Sequence, residues 1–335
     1  MKSSKSLKTL LALTALGGVG TSFAQSATFY GTIDVGVETV NNVGAAGESL
    51  TRVPTNTNSI PSRLGVRGSV DIGDANKAIY VAEIGFDPGN GNLNQGGRLL
   101  GRQAYVGLSG DYGTVSIGRQ YTMVFWSMLD SDTFGGGIYG TGSLDSYIPN
   151  ARADNALVWL GKFNGWTLGA EYSFGRDTVN AGPSPAGTNC PGESTDAQAC
   201  RQWSVMAKYD TPNWGFAVAQ DRMNGRNVGA SPDAIFGGLN ATSKTDTRQM
   251  LNGWVKVAGS KIGAGVVRRK NDGNATVPES DLSYLGVSAP LTPKLTLAAQ
   301  WSALNYAANS DFNASLIAVR GTYALFKGTE LFAQV

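Results

Sequence analysis

The sequence predicts an all-β fold, an antiparallel up-and-down barrel embedded in a membrane. Three observations predict it: apolar and polar side chains alternate along short segments, the connections between these segments are short and long in turn, and an export leader precedes them. Alternation with a period of two indicates strands that have one apolar and one polar face. Short turns at one end and long loops at the other are typical of outer-membrane barrels.

The first 24 residues have the pattern of a secretory signal peptide. Lys2, Lys5 and Lys8 make a basic start, residues 10–19 are apolar, and small residues flank Phe23 before Gln25. The apolar run is shorter than the roughly 20 residues that a membrane-spanning helix needs. We therefore expect cleavage after residue 24 and a mature barrel of residues 25–335.

Charge and composition exclude several classes of protein. The chain has 27 Lys+Arg and 25 Asp+Glu, and loss of the three leader lysines leaves 24 against 25. This balance argues against a nucleic-acid partner, which would need a concentrated cationic face. The chain has no histidine, which excludes His-dependent nucleophilic catalysis and His-containing zinc sites. No catalytic residue, metal or cofactor is predicted.

The alternation predicts fifteen strands. The first is expected over 28–37, with Phe29 and Ile33 on the apolar face and Asp34 on the polar face. The predicted strands begin near residues 28, 62, 77, 101, 113, 152, 165, 201, 213, 247, 260, 280, 293, 313 and 328.

Both cysteines, Cys190 and Cys200, lie in one stretch rich in Gly, Pro, Ser and Asn, residues 177–201. In an oxidising compartment they are expected to form one disulfide that closes this loop. Two free thiols are the alternative.

Four ordered motifs resemble the general porins of Gram-negative bacteria, especially the beta-proteobacterial type: residues 29–34 (FYGTID), 62–68 (SRLGVRG), 101–108 (GRQAYVGL) and 118–121 (GRQY). The resemblance covers almost all of the mature chain. It implies a 16-stranded outer-membrane barrel, a homotrimer in contact with lipid and lipopolysaccharide, and a third long loop folded into the lumen. It also implies passive diffusion of small hydrophilic solutes and no enzymatic activity.

The resemblance assigns a charged constriction. Its basic side would be Arg63, Arg102 and Arg152, with Glu83 as a wall carboxylate. Residues 126–150 match the infolded loop. Its expected acids are Asp130 and Asp132, and its expected turn is Phe134, Gly135 and Gly136. The loop departs from the family pattern at Asp132 and Thr133, so its acidic side is expected to be weaker or shifted.

Three arginines facing one clear wall carboxylate predict a preference for anions. Lys256 and Arg320 lie on the polar face of their strands and would add positive potential. Residues 268–270 (RRK) are expected at a solvated rim or in contact with lipopolysaccharide.

Strand parity agrees with only part of this assignment. Arg63, Glu83 and Arg152 share the polar face of their strands, whereas Arg102 and Arg119 have the parity of apolar neighbours. An arginine facing lipid at mid-depth would cost about 2–4 kcal/mol. Each of these two arginines is therefore expected at a strand end, a bulge or a subunit interface. No role is predicted for Arg119.

The chain stops at Val335 without the terminal aromatic residue usual in the family. We expect a fifteenth strand that is incomplete and a closing strand that is missing. Because an open edge in lipid leaves backbone groups unpaired, the chain is interpreted as a C-terminally truncated copy of a longer protein. Two other classes remain open. A barrel that serves as an adhesin or structural anchor would not conduct ions, and a soluble exported carbohydrate-active β-protein would need a pair of carboxylates in a cleft.

Overall fold

The computed structural model describes residues 25–55, 61–135, 137, 139–145, 147–148, 151–175, 196–226 and 238–335. The predicted leader, residues 1–24, lies outside this part of the chain. The described residues form a fifteen-stranded antiparallel sheet and a separate two-stranded hairpin.

The seventeen strands are numbered in chain order: β1 (Gln25–Thr32), β2 (Glu38–Val43), β3 (Glu48–Arg52), β4 (Arg63–Gly73), β5 (Asn76–Gly85), β6 (Gln103–Gly110), β7 (Gly113–Tyr121), β8 (Arg152–Phe163), β9 (Trp166–Ser173), β10 (Gln202–Asp210), β11 (Trp214–Asn224), β12 (Thr245–Val257), β13 (Ser260–Asn271), β14 (Glu279–Pro290), β15 (Leu295–Tyr306), β16 (Ala314–Phe326) and β17 (Thr329–Gln334). The helical segments are short: α1 (Asn94–Gly97), α2 (Met123–Met128) and 3-10 turns at Thr141–Ser143 and Ser310–Phe312. None of the helices in the described part of the chain is long and apolar enough to cross a membrane.

Neighbouring strands of the main sheet follow one another in sequence, from β1 and β4 through β17. This is the predicted up-and-down order, and each of the fifteen strands begins within three residues of its predicted start. No ladder joins β1 to β17 among the described residues, so these strands are the edges of the sheet. The sixteen strands implied by the resemblance are one more than this sheet contains.

The first strand is shorter than predicted, and the β2–β3 hairpin was missed. Alternation continues to Val37, but β1 ends at Thr32. Beyond it, the hydroxyl of Ser62 accepts from the Asp34 amide at 2.9 Å and donates to the Asp34 carbonyl at 3.0 Å. A side chain therefore satisfies the Asp34 backbone groups that a strand neighbour would pair, and the chain leaves the sheet and turns into the hairpin.

The two faces of the sheet have opposite character. Large apolar side chains such as Val218, Leu251 and Leu285 lie on the outer face, and Leu251 is 56% exposed. On the same strands, Asp221 and Arg248 are buried on the inner face. An apolar exterior around a polar interior is the arrangement of a barrel that sits in lipid.

The main apolar core lies inside the barrel. Helix α2 and the segment that follows it, up to residue 148, bury apolar side chains against the inner wall. The loop side chains in this core are Met123, Val124, Met128 and Ile148, and the wall side chains include Met206, Met250, Val267 and Leu282. The connection between β7 and β8 is thus folded into the barrel, as expected for the third long loop.

Candidate functional site

The candidate site begins with a carboxylate on the inner face of β5. Glu83 is buried and accepts hydrogen bonds from Arg102 Nε at 2.6 Å and from the Tyr30 hydroxyl at 2.8 Å. Arg63 Nε lies 3.7 Å from Oε2 of Glu83, the oxygen that accepts from Tyr30. Two of the three predicted arginines therefore share one counter-ion.

The third arginine is joined to this group through Tyr121. The Tyr121 hydroxyl accepts from the Nη2 atoms of Arg102 and Arg152, each at 2.7 Å. The Arg152 guanidinium lies over the Tyr121 ring, 4.4 Å from its centroid, and the Phe125 ring stacks on the same ring with the two centroids 3.9 Å apart. We call Arg63, Glu83, Arg102, Tyr121 and Arg152 the arginine wall.

The three arginines differ in their access to the lumen. The side chain of Arg63 is 20% exposed, whereas Arg102 is buried and Arg152 is only 2% exposed. Since a solute reaches only exposed groups, Arg63 is the guanidinium most available for contact.

The structure resolves the parity conflict at Arg102 and Arg119. Arg102 precedes β6, and this strand-end position lets its side chain turn to Glu83. At Arg119 the register shifts: Gly118 pairs with Ala156 and Gln120 pairs with Ala153, so two residues of β8 oppose one of β7. A strand end and a bulge were two of the three alternatives predicted for these arginines.

The bulge gives Arg119 a structural role. It donates from Nη1 to Asp154 Oδ1 at 2.6 Å and from Nε to the Gly101 carbonyl at 2.6 Å. Arg98 also contacts Asp154, at 3.1 Å. Arg119 and Asp154 therefore fasten the connection before β6 to β7 and β8.

The infolded loop is fastened to the inner faces of β10–β16, which we call the fastened wall. The loop's contacts with β10, β14 and β15 involve Met123, Ser131 and Thr133. The Met123 amide, which has no partner within α2, donates to Ser204 Oγ at 2.8 Å. Ser131 Oγ and the Tyr284 hydroxyl share a hydrogen bond of 2.6 Å, and the Thr133 amide donates to Gln300 Oε1 at 2.9 Å.

The predicted turn of the infolded loop follows Thr133 along the chain. Phe134 is buried, and the Arg320 guanidinium lies 4.6 Å from the centroid of its ring. Gly135 has φ 65°, a left-handed conformation that favours glycine. Gly136, the third residue of this prediction, lies outside the described residues. Beyond the turn, the Tyr139 hydroxyl donates to Glu38 of the β2–β3 hairpin at 2.7 Å.

The strongest fastening is a buried charge network around Arg248 of β12. Arg248 donates to both carboxylate oxygens of Asp145 on the loop, at 3.0 and 3.2 Å, and also pairs with Asp246, which in turn contacts Arg269 at 2.6 Å. Burial alone would raise the pKa of Asp145, but the guanidinium groups of Arg248 and Arg269 hold it below its usual range.

This network continues through Tyr147. The Arg248 guanidinium lies 4.2 Å from the centroid of the Tyr147 ring. The Tyr147 hydroxyl donates to Asp221 at 2.7 Å and accepts from Gln202 Nε2 at 2.8 Å. Charged and polar groups of three strands are thus used to hold the loop.

The two predicted loop acids lie in different surroundings. Asp132 is 5% exposed and accepts from the Phe134 amide at 2.9 Å and from Thr141 Oγ1 at 2.6 Å, so it shapes the loop itself. The Asp130 side chain is 44% exposed and pairs with Lys208 and Lys261. Neither residue has Arg63, Arg102 or Arg152 among these contacts.

The sequence also predicts a disulfide between Cys190 and Cys200. Cys200 is buried and disulfide-bonded. Cys190, its expected partner, lies outside the described residues, so the pairing stays a prediction.

Sequence patterns missed Tyr30, Tyr121 and the Arg248–Asp145 pair. A signal for the fastening was present: Met206, Met250 and Val267 have the parity of the inner face, and apolar side chains on a water-filled wall indicate that something covers them. The tyrosines carried no such signal, because their hydroxyl partners come from other strands.

Comparisons with known proteins agree with this architecture. Residues 9–335 match the model of the Gram-negative porin family. An outer membrane porin protein of Bordetella pertussis is 28% identical over 97% of this chain and 92% of its own length. Outer membrane porin protein 32 of Delftia acidovorans is 34% identical over 50% of this chain and 49% of its own length.

Solved structures show the same fold. The anion-selective porin from Comamonas acidovorans superposes with a TM-score of 0.72 at 20% identity, covering 92% of this chain and 87% of that one. The trimer form of OmpT from Vibrio cholerae gives a TM-score of 0.63 at 16% identity, covering 93% and 87%. With an apolar outer face, a polar inner face and an infolded loop, this chain belongs to the Gram-negative porin family and is an outer-membrane β-barrel protein, not an enzyme.

Proposed function

We propose that the chain forms a water-filled channel for passive diffusion of small hydrophilic solutes, with a preference for anions. Its constriction lies between the arginine wall and the infolded loop. Arg63, Arg102 and Arg152 supply the basic side, and Glu83 is the carboxylate among them.

The observation that carries this proposal is the charge of the arginine wall. Three guanidinium groups meet one carboxylate and two tyrosine hydroxyls, so the cluster keeps a net positive charge. Charged rings and walls at a narrow point set which ions pass. The anion-selective porin from Comamonas acidovorans, which has the same fold, supports the same direction.

The loop supports the proposal from the opposite side. Asp132 is buried in the loop, and Asp130 pairs with two lysines, so both acids are already engaged. The predicted acidic side of the constriction is therefore weak, and the arginines dominate the field that a solute meets.

Four further features belong to this proposal. The channel is a homotrimer, as the trimer form of the Vibrio cholerae protein suggests. Residues 1–24 are removed on export. A Cys190–Cys200 bond closes the loop before β10, and the exterior contacts lipid and lipopolysaccharide. Mass spectrometry of unreduced protein tests the disulfide, because two free thiols would contradict it.

The channel is tested by planar-bilayer recording across a KCl gradient, comparing wild type with Arg63→Glu. We expect current steps in groups of three and a reversal potential on the chloride side, which the substitution moves towards the potassium side. Arg52→Glu is the matched control, because this substitution makes the same charge change on the exposed β2–β3 hairpin.

The outcomes separate the alternatives. A reversal potential that Arg63→Glu leaves unchanged would remove the arginine wall from ion selection. A silent bilayer despite confirmed insertion would favour an adhesin or structural anchor.

A further inference from the structure

A second group of basic side chains lies on the inner wall, far from the arginine wall. Lys208 of β10, Lys256 of β12 and Lys261 of β13 form this lysine cluster, next to Trp254 of β12. Each of the three lysines lies within about two residues of a short turn. The arginines lie at the other end of their strands, where the long loops begin.

The two groups are well separated along the channel. Arg63 is the first residue of β4, ten positions before Gly73, whereas Lys256 is one position before the end of β12. With a rise of roughly 3.3 Å per residue and a strand tilt of about 35–45°, their separation along the barrel axis is about 21–24 Å. A solute therefore meets them one after the other.

The lysine cluster surrounds a carboxylate of the loop. Lys208 donates to Asp130, and Lys261 Nζ lies 3.7 Å from the other oxygen of the same carboxylate. The side chain of Lys261 is 37% exposed and that of Asp130 is 44% exposed. These groups are in reach of water, and thus of a solute.

Trp254 and Asp210 shape the surroundings of the cluster. The Nζ atoms of Lys256 and Lys261 lie 5.5 and 4.9 Å from the centroid of a Trp254 ring. Asp210 accepts from Trp254 Nε1 at 3.1 Å and pairs with Lys208 at 3.2 Å. Asp210 is fixed to the wall by its own strand, whereas Asp130 comes from the loop. Three ammonium groups against these two carboxylates leave a positive balance.

We propose that the lysine cluster is a second anion site, specific for carboxylate-bearing solutes, and that Asp130 occupies it as a tethered competitor. A solute carboxylate binds by displacing Asp130 from Lys208 and Lys261. This inference rests on the proposed function, because it requires anionic solutes to traverse the channel.

The chemistry of the present occupant supports the choice of ligand. Asp130 is itself a carboxylate, so the cluster already shows the geometry in which it receives one. The hydrogen bond and charge of Lys208, with the charge of Lys261, outweigh burial and hold the pKa of Asp130 below its usual range, so it is ionised at neutral pH. The Lys261–Asp130 pair is exposed, and exposed ion pairs contribute only about 0.2–1 kcal/mol, so a solute carboxylate can compete with Asp130.

The test measures block of KCl current by citrate, added to both chambers of a planar bilayer that holds the complete trimeric protein. Removing the competitor with Asp130→Asn is expected to lower the half-blocking citrate concentration by a factor of about 1.4 to 5, the fold-change that corresponds to the free energy of one exposed ion pair. The double variant Lys208→Gln, Lys261→Gln is expected to raise it. Asp130→Glu, which restores a carboxylate, is expected to raise the half-blocking concentration above that of Asp130→Asn.

Lys162→Gln is the control. Lys162 lies at the short-turn end of β8, and its substitution removes one lysine charge away from the cluster, whereas the double variant removes two. The inference is overturned if Asp130→Asn does not lower the half-blocking concentration, or if Lys162→Gln raises it as much as the double lysine variant.

Failure of this inference is distinct from failure of the proposed function. The reversal potential of Arg63→Glu in KCl reports on the arginine wall alone. A normal shift there, with citrate block that ignores Asp130 and the lysines, would leave the channel intact and remove only the second site.

Discussion

The arginine wall and the fastened wall are built from the same kind of strand, yet they use their charges differently. On the arginine wall, the guanidinium of Arg63 keeps part of its surface open to the lumen. On the fastened wall, Arg248 and Asp246 are buried in contacts that hold the loop. The inward parity of a charged residue therefore does not tell whether it acts on solutes, because a charge buried in a fastening network is screened from them by its partners.

The largest expected effect breaks the fastened wall. Arg248→Gln would leave Asp145 and Asp246 buried without their shared cation, which is expected to cost about 3–5 kcal/mol of stability. The freed loop should also add sublevels to the single-channel current. Heat denaturation and single-channel recording measure the two effects.

Arg268→Gln is the control for this change. Arg268 lies on the outer face of the neighbouring strand and pairs with Asp281 at 2.9 Å in an exposed position. Its loss is expected to cost at most about 1 kcal/mol and to leave the current unchanged. Equal losses in the two variants would show that the buried network does not hold the loop.

An intermediate effect sharpens the comparison of the two walls. Glu83→Gln removes the counter-ion that Arg63 and Arg102 share, and is expected to move the KCl reversal potential further to the chloride side. The weaker hydrogen bonds of the amide should cost about 1–3 kcal/mol of stability. The reversal potential measures the change in ion preference, and heat denaturation measures the loss of stability.

Asp145→Asn is the matched change in the loop that the fastened wall holds, since it also removes a buried carboxylate paired with arginine. For Asp145→Asn we expect altered sublevels of the single-channel current and little movement of the reversal potential. If Asp145→Asn moves the reversal potential as far as Glu83→Gln, the division of labour between the walls is wrong.

The smallest expected effect concerns the far end of the loop. Tyr139→Phe removes the hydrogen bond to Glu38, a loss of about 0.5–1.5 kcal/mol. Heat denaturation of the variant measures it, with Tyr112→Phe as control because Tyr112 lies exposed in a turn between strands. A larger loss in Tyr112→Phe would contradict the contribution of the hairpin contact.

Much of the barrel could be predicted, and the exceptions have physical reasons. Strand starts followed from alternation and turn residues, which are local properties of the chain. The β2–β3 hairpin was missed because apolar residues continue the alternation through Val37 while Ser62 satisfies the backbone groups of Asp34.

The candidate site was predicted in part. The resemblance identified Arg63, Arg102 and Glu83, which the structure brings together. It did not identify Tyr121, which joins Arg102 to Arg152, or place Asp130 among lysines. These contacts depend on how strands and loop meet in space, so no single segment carries a pattern for them.

The amino-acid order by itself specifies a barrel with an apolar exterior, its strand order and a positive balance among the predicted wall residues, since periodicity, turn chemistry and charge are properties of neighbouring residues. Folding specifies which charges remain available to a solute. The loop is held by Ser204, Arg248, Tyr284 and Gln300, which lie 81, 103, 153 and 167 positions from their partners. Contacts across such separations form only when the succession of paired strands brings both residues to the same inner face.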